Sequence, residues 1–217
     1  MILQHLNNLT TKRIILASSS PRRKEILQKI GLRFTVMPSE FEETLDPKSY
    51  SHPSQFVIAT ARGKAEEVAQ RLSQPGSSPC PHIVIGADTC ISLEGQVFGK
   101  PKDVDDATRM LGKFSSRGHE VLTGVCILVG HGSGDGWREI SFCETTEVQF
   151  AELPPDVIKA YVDTGEPMDK AGGYGIQGLG GTLVEGIRGD YYNVMGFPLH
   201  RFCQQLALVL VEERLVS

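Results

Sequence analysis

The sequence predicts an α/β fold, and three observations carry that expectation. Ile14, Ile15 and Leu16 form a short apolar run that leads straight into a capped helix. Val57, Ala61, Ala65, Val68 and Leu72 recur at helical spacing ahead of a strongly apolar strand at 82–93. A second near-continuous apolar strand at 120–129 follows another amphipathic helix. Strands that alternate with helices in this way define the α/β class.

Residues 1–12 read as a polar lead-in without a signal-peptide core, ahead of one domain at 13–212. Ser20 and Pro21 read as N-cap and first residue of the first helix, because proline has no N–H to lose there. Ile26, Leu27 and Ile30 give that helix an apolar face, and Gly31 can end it. A second strand is expected at 34–37, then an acidic loop at 38–43. Pro53 and Ser54 are expected to cap the next helix, on which Arg62 and Lys64 could either face solvent, the reading their positions alone favour, or reach into a site. Residues 73–81 have linker composition. After the 82–93 strand, Glu94, Gly95 and Gln96 turn the chain into a hairpin arm at Val97 and Phe98. Residues 103–114 form a helix with Val104, Ala107, Leu111 and Phe114 inward. The 120–129 strand is apolar enough to be central. Residues 130–136 are glycine-rich but lack the Lys-Ser/Thr pair of a P-loop, and read as a hairpin connection. A half-exposed strand at 139–152, a helix at 154–164, short strands at 183–184 and 191–195, and a last helix carrying Leu199, Phe202, Leu206 and Val209 complete the chain.

Composition narrows the function classes. The 217 residues carry a net charge of −4, which argues against a general nucleic-acid binder. No apolar run approaches the roughly 20 residues of a membrane span. The five cysteines are dispersed, odd in number and without metal spacing, as in reduced thiols of a cytoplasmic protein. The six histidines form no H-E-x-x-H cluster, so a zinc site is not expected.

Three stretches break local rules, as functional sites do. The first helix begins with Arg22, Arg23 and Lys24, although a helix N-terminus already carries about half a positive charge. An anion there would resolve the conflict, with Ser18, Ser20 and free backbone N–H groups completing a phosphate cradle. Asp88 interrupts an apolar strand beside Gly86 and Ala87, which leave room for a close approach. A buried carboxylate needs a partner, so Asp88 reads as catalytic or metal-binding, or else as a structural group bonded to a neighbouring loop. Six of the ten residues 172–181 are glycine, interleaved with Tyr174, Ile176 and Gln177, which suggests a shaped backbone against a ligand. A phosphate nearby would make one of Glu42 and Glu43 a candidate magnesium ligand.

Together, Ala17-Ser18-Ser19-Ser20-Pro21-Arg22-Arg23, Gly86-Ala87-Asp88-Thr89, Gly99-Lys100-Pro101 and the run from Gly165 to Gly178 resemble the Maf family of nucleotide pyrophosphatases, in order and separation. Met168 and Gly173 are small variations within the last motif. The resemblance implies an elongated α/β fold with a mixed twisted sheet and a central cleft between two lobes, often in a homodimer. It implies hydrolysis of a nucleoside triphosphate to the monophosphate and pyrophosphate with a divalent metal, magnesium first and manganese second. Arg23, Thr89 and Gln177 match positions that mark the dTTP/UTP branch, and Asp88 matches the proposed proton acceptor. The likeness extends to Maf domains that precede a methyltransferase-like domain, which would then follow Ser217.

On this reading Ser18, Ser20, Arg22, Arg23, Lys64, Lys100 and Lys170 meet the phosphates, and Glu43 and Asp88 hold the metal. Asp88 and Lys100 are the catalytic pair, with Asp88 orienting or deprotonating the attacking water. The Gln177 amide offers a donor and an acceptor to a pyrimidine edge. A nucleotide sensor on the same fold would keep the cradle but could lose Asp88 or the acidic loop. A purine-directed pyrophosphatase is the other alternative, and Gln177 weighs against it.

Overall fold

The computed structural model describes residues 2–73, 82–130 and 136–212. Seven strands form one mixed sheet: β1 (Ile14–Ala17), β2 (Thr35–Val36), β3 (Ile83–Leu93), β4 (Gln96–Phe98), β5 (Gly118–Gly130), β6 (Trp137–Phe150) and β7 (Val184–Arg188). The order is β2-β1-β3-β5-β6-β7, with β4 also on β3. β1 runs parallel to β2 and β3; the other pairs are antiparallel. The expected 34–37 strand shrinks to two paired residues at the sheet edge. Of the expected linker at 73–81 and hairpin connection at 130–136, residues 74–81 and 131–135 lie outside the described residues.

Helices cover both faces. α1 (Leu6–Leu9), α2 (Pro21–Lys29) and α7 (Leu199–Glu212) accompany the N-terminal half of β3. There Ile14, Leu16, Ile26, Leu27, Ile83, Ile85, Phe202 and Leu206 share one core. The lead-in is not merely polar: Ile2 and Leu9 are buried in this core. α4 (Val104–Phe114) and α5 (Pro155–Asp163) cover the far half of the sheet, packing Leu111, Phe114 and Ile158 against Ile91, Val121, Val148 and Phe150. Val104 is exposed, contrary to expectation, because Asp103 caps the helix and leaves residue 104 on its open first turn; Met110 fills the core face instead. These separate cores are the two lobes, tied together by β3, β5 and β6.

α3 (Pro53–Leu72) lies on the other face, along β3 and β5. Its stripe of Val57, Ala61, Ala65, Val68 and Leu72 is buried as its spacing predicts, each large aliphatic contributing ~1.5–3 kcal/mol. The N-cap is His52 rather than Ser54: its ring nitrogen accepts from the Ser54 N–H at 3.2 Å, with Pro53 in the first turn. The segment at 191–195 is helical rather than extended. α6 (Tyr191–Val194) starts where the Asp190 carboxylate accepts from the Tyr192 N–H at 2.8 Å, and this cap overrides the apolar run.

Gly86 does leave room for a close approach, but what approaches is α3. A β-carbon there would lie 2.2 Å from the Ala61 carbonyl oxygen. Gly86→Val is therefore expected to cost about 1–3 kcal/mol, the range for overpacking. Urea unfolding of the two proteins checks this.

Candidate active site

A cleft of about 970 Å³ separates the lobes. Its origin lies in the sheet. β1 pairs with β3 only as far as Gly86, and β4 takes the same edge only from Ile91. Between them, residues 87–90 expose one edge of β3 while β5 holds the other. Side chains from both faces of β3 reach the cleft there. It lies just past the C-terminal end of β1 and at the start of α2, where open parallel sheets commonly take ligands.

All the site residues expected from the sequence line this one cleft: Ser18, Ser20, Arg22, Arg23, Glu43, Lys64, Asp88, Thr89, Lys100, Lys170 and Gln177. On the α3 face, Lys64 is turned into the cleft rather than to solvent. Its ammonium lies 2.8 Å from Asp88 Oδ1 and 2.7 Å from Glu43 Oε1. The Asp88 side chain is 14% exposed and Lys64 12%, so each compensates the other's lost hydration. Arg62, two residues earlier and so on another side of the helix, pairs with Glu139 at the surface.

On the opposite face the charge conflict of α2 resolves residue by residue. Arg23 is buried, its guanidinium donating to the Gly196 carbonyl at 2.9 Å, Ser18 Oγ at 3.2 Å and Thr89 Oγ1 at 3.0 Å. Burial lowers its pKa, while the nearby Asp88 carboxylate pulls the other way. All three hydrogen-bond partners are uncharged, so the cation is placed but not neutralised by direct contact. Arg22 donates to Asp169 at 3.4 Å, and Lys24 is exposed. Ser20 caps the helix at 3.5 Å from the Arg23 N–H. Ser20 thus caps the helix as its sequence position predicts, while the Ser18 and Thr89 hydroxyls hold the arginine, a positioning duty that the sequence did not reveal.

The glycine-rich segment forms the far wall. Lys170 is held by the Glu166 carbonyl at 2.7 Å and Asp169 Oδ1 at 2.6 Å. Burial alone would raise the Asp169 pKa, but Lys170 and Arg22 hold it below the usual carboxylate range. Lys100 and Gln177 are exposed at the cleft, and no hydrogen bond among the described residues fixes either side chain. Tyr174 is anchored through its hydroxyl to His119 at 2.8 Å, inside an aromatic box with Phe114 and Phe150.

Asp88 and Glu43 share one ammonium, so their oxygens lie within reach of a single cation. This donor set fits a hard divalent ion that keeps waters and phosphate oxygens among its ligands. Among the described residues, no group of three or more His, Cys, Asp or Glu side chains forms a self-sufficient metal cage.

The model of the Maf-like protein family matches residues 13–209. The chain belongs to the Maf family. Curated relatives include the following three proteins. The probable bifunctional dTTP/UTP pyrophosphatase/methyltransferase protein of Homo sapiens is 50% identical over 205 residues, which cover 93% of this Maf chain but 32% of the human protein. The chain thus spans about a third of that relative's length. The dTTP/UTP pyrophosphatase of Clostridium perfringens is 46% identical, covering 89% of this chain and 95% of its own. That of Bacillus cereus is 44% identical over 95% of both. No helix among the described residues is long and apolar enough to cross a membrane.

The sequence reading missed Glu166 and Tyr161. Glu166 stands inside the last motif among a lysine and glycines that carry stronger signals; Tyr161 lies within the helix expected at 154–164 and carries no signal of its own.

Burial pushes the His119 pKa down from 6.5 to about 4. The unfolded chain then binds this proton below about pH 6.5 while the folded Maf chain does not, so stability falls as pH drops from 6.5 towards 4. The full loss is about 3 kcal/mol. Urea unfolding at pH 7 and pH 4.5 should show a shallower pH slope for His119→Gln than for the wild type.

Proposed function

We propose that this Maf chain hydrolyses dTTP and UTP to the monophosphate and pyrophosphate. The observation that carries the reading is the convergence of Asp88, Lys64 and Glu43 from one face of β3 with Arg23, Lys100 and Lys170 from the other, in one cleft. Relatives named for this activity, similar over nearly the whole chain, support it. The cleft volume falls within the usual range for small-molecule sites.

The triphosphate brings about four negative charges, which need converging cations and N–H donors. Lys100 is unpaired among the described residues and exposed at the cleft, free to meet a phosphate. Lys170 and Arg22 are pre-set by Asp169, and Arg23 supplies a buried positive charge at the start of α2. Asp88, oriented by Lys64, accepts the proton of the water that attacks phosphorus at the α–β bridge. Glu43 and Asp88 would hold a divalent ion, magnesium or manganese, whose chemistry is to neutralise phosphate charge and acidify a bound water. Gln177 at the lip offers its amide to the base edge. The cleft retains both Asp88 and the acidic loop, so the chain keeps what a pure sensor could discard. The family resemblance further supports a cytoplasmic homodimer, and a methyltransferase-like partner domain as in the human relative.

Incubation with a panel of nucleoside triphosphates and Mg²⁺ should release pyrophosphate from UTP and dTTP in preference to CTP. Release of orthophosphate alone rejects the reading. Asp88→Asn should lower turnover at least about a hundredfold, the low end for a general base, with an unchanged circular-dichroism spectrum. Near-normal turnover removes Asp88 from that role.

A further inference from the structure

Glu166 begins the short turn Glu166–Asp169, yet its carboxylate serves a later stretch of chain. Oε2 accepts from the Leu179 N–H at 2.9 Å. Oε1 accepts from the Gly180 N–H at 2.9 Å and from the Tyr161 hydroxyl at 3.0 Å. That hydroxyl oxygen in turn accepts from the Gly175 N–H at 3.2 Å. The backbone is therefore pinned two residues before Gln177 and two residues after it, while the Gln177 side chain is free among the described residues. The fit is close. A β-carbon at Gly178 would lie 2.5 Å from Glu166 Oε2, and one at Gly180 would lie 2.6 Å from the Tyr161 hydroxyl. Burial alone would raise the Glu166 pKa, but the Gly180 and Leu179 N–H groups and Tyr161 together hold it down, so the acceptor is ionised.

The geometry points to Glu166, backed by Tyr161, as a positioning residue that sets base selectivity through the Gln177 backbone. The inference rests on the nucleotide reading above. A primary amide carries both a donor and an acceptor, so by itself it can satisfy uracil or cytosine. Discrimination then depends on where its backbone stands. A carboxylate is the group this task needs, because two N–H donors and one O–H converge on it and it has no hydrogen to oppose them. Glutamine at 166 would turn an NH₂ towards one of those N–H groups, leaving a donor unpaired and the segment loosened.

The test compares kcat and KM for UTP and CTP, with Mg²⁺, in the wild type, Glu166→Gln, Glu166→Asp, Tyr161→Phe, Gln177→Ala and the Glu166→Gln/Gln177→Ala double variant. Glu166→Gln should lower the UTP:CTP ratio of kcat/KM by about tenfold, a small part of what a hydrogen-bonding site can discriminate. Its effect should fall on KM for UTP, with kcat within about threefold of wild type. Tyr161→Phe should shift the ratio in the same direction by less, and Glu166→Asp should recover part of it. In the Gln177→Ala background, Glu166→Gln should change the ratio no further. An unchanged ratio in both Glu166→Gln and Tyr161→Phe overturns the inference, as do equal losses for the two nucleotides or full additivity in the double variant. Should Glu166→Gln not fold by circular dichroism, the ratio in Tyr161→Phe decides alone. A wild type that prefers UTP while these variants keep that preference sinks this inference only; a wild type that hydrolyses neither nucleotide sinks the functional reading with it.

Discussion

The structure depends on one interrupted sheet edge. β3 is longer than its neighbour β1, and β4 joins the same edge only after a four-residue gap at 87–90. Elsewhere on a sheet, alternate side chains face opposite sides and cannot share a site. At an open edge they can, because no neighbouring strand separates the two faces. That is how Asp88, facing α3, and Thr89, facing the α2 side, line one cleft. The same gap divides the two helical cores, so the lobes and the site have a common cause.

Charge follows from that geometry. The α3 face presents a carboxylate–ammonium–carboxylate row, Asp88, Lys64 and Glu43. The other face presents a buried guanidinium whose hydrogen-bond partners are all uncharged. A buried cation without a directly contacting carboxylate is costly, and its retention beside a large cleft is most simply explained by an anionic ligand. Asp88 lies close enough to influence Arg23 electrostatically, so the two faces are coupled even though they make no direct contact. The far wall, by contrast, is shaped by backbone rather than charge, with Glu166 spending its oxygens on N–H groups of the glycine-rich segment.

Several elements were legible in the chain because their signals are local. The Ser20–Pro21 cap, the α3 stripe and the central strands follow from periodicity and capping chemistry that need no distant partner. Local signals also misled. The apolar run at 191–195 resembles a strand, but the Asp190 cap makes it a helix. The position of Lys64 on α3 gives no hint of its direction, because only the packing of α3 along β3 brings Asp88 and Glu43 to it.

The sequence by itself determined which residues are candidates for the site: the basic start of α2, the carboxylate within β3 and the glycine-rich wall each violate a local preference, and such violations are visible without coordinates. Tertiary structure decided how those residues divide their work. Whether a hydroxyl meets a ligand or holds an arginine, and whether a glutamate binds a metal or pins a loop, depends on which donors lie within about 3 Å. Those donors come from segments up to 173 residues apart in the chain, as Arg23 and Gly196 are, and no local pattern records that distance being closed.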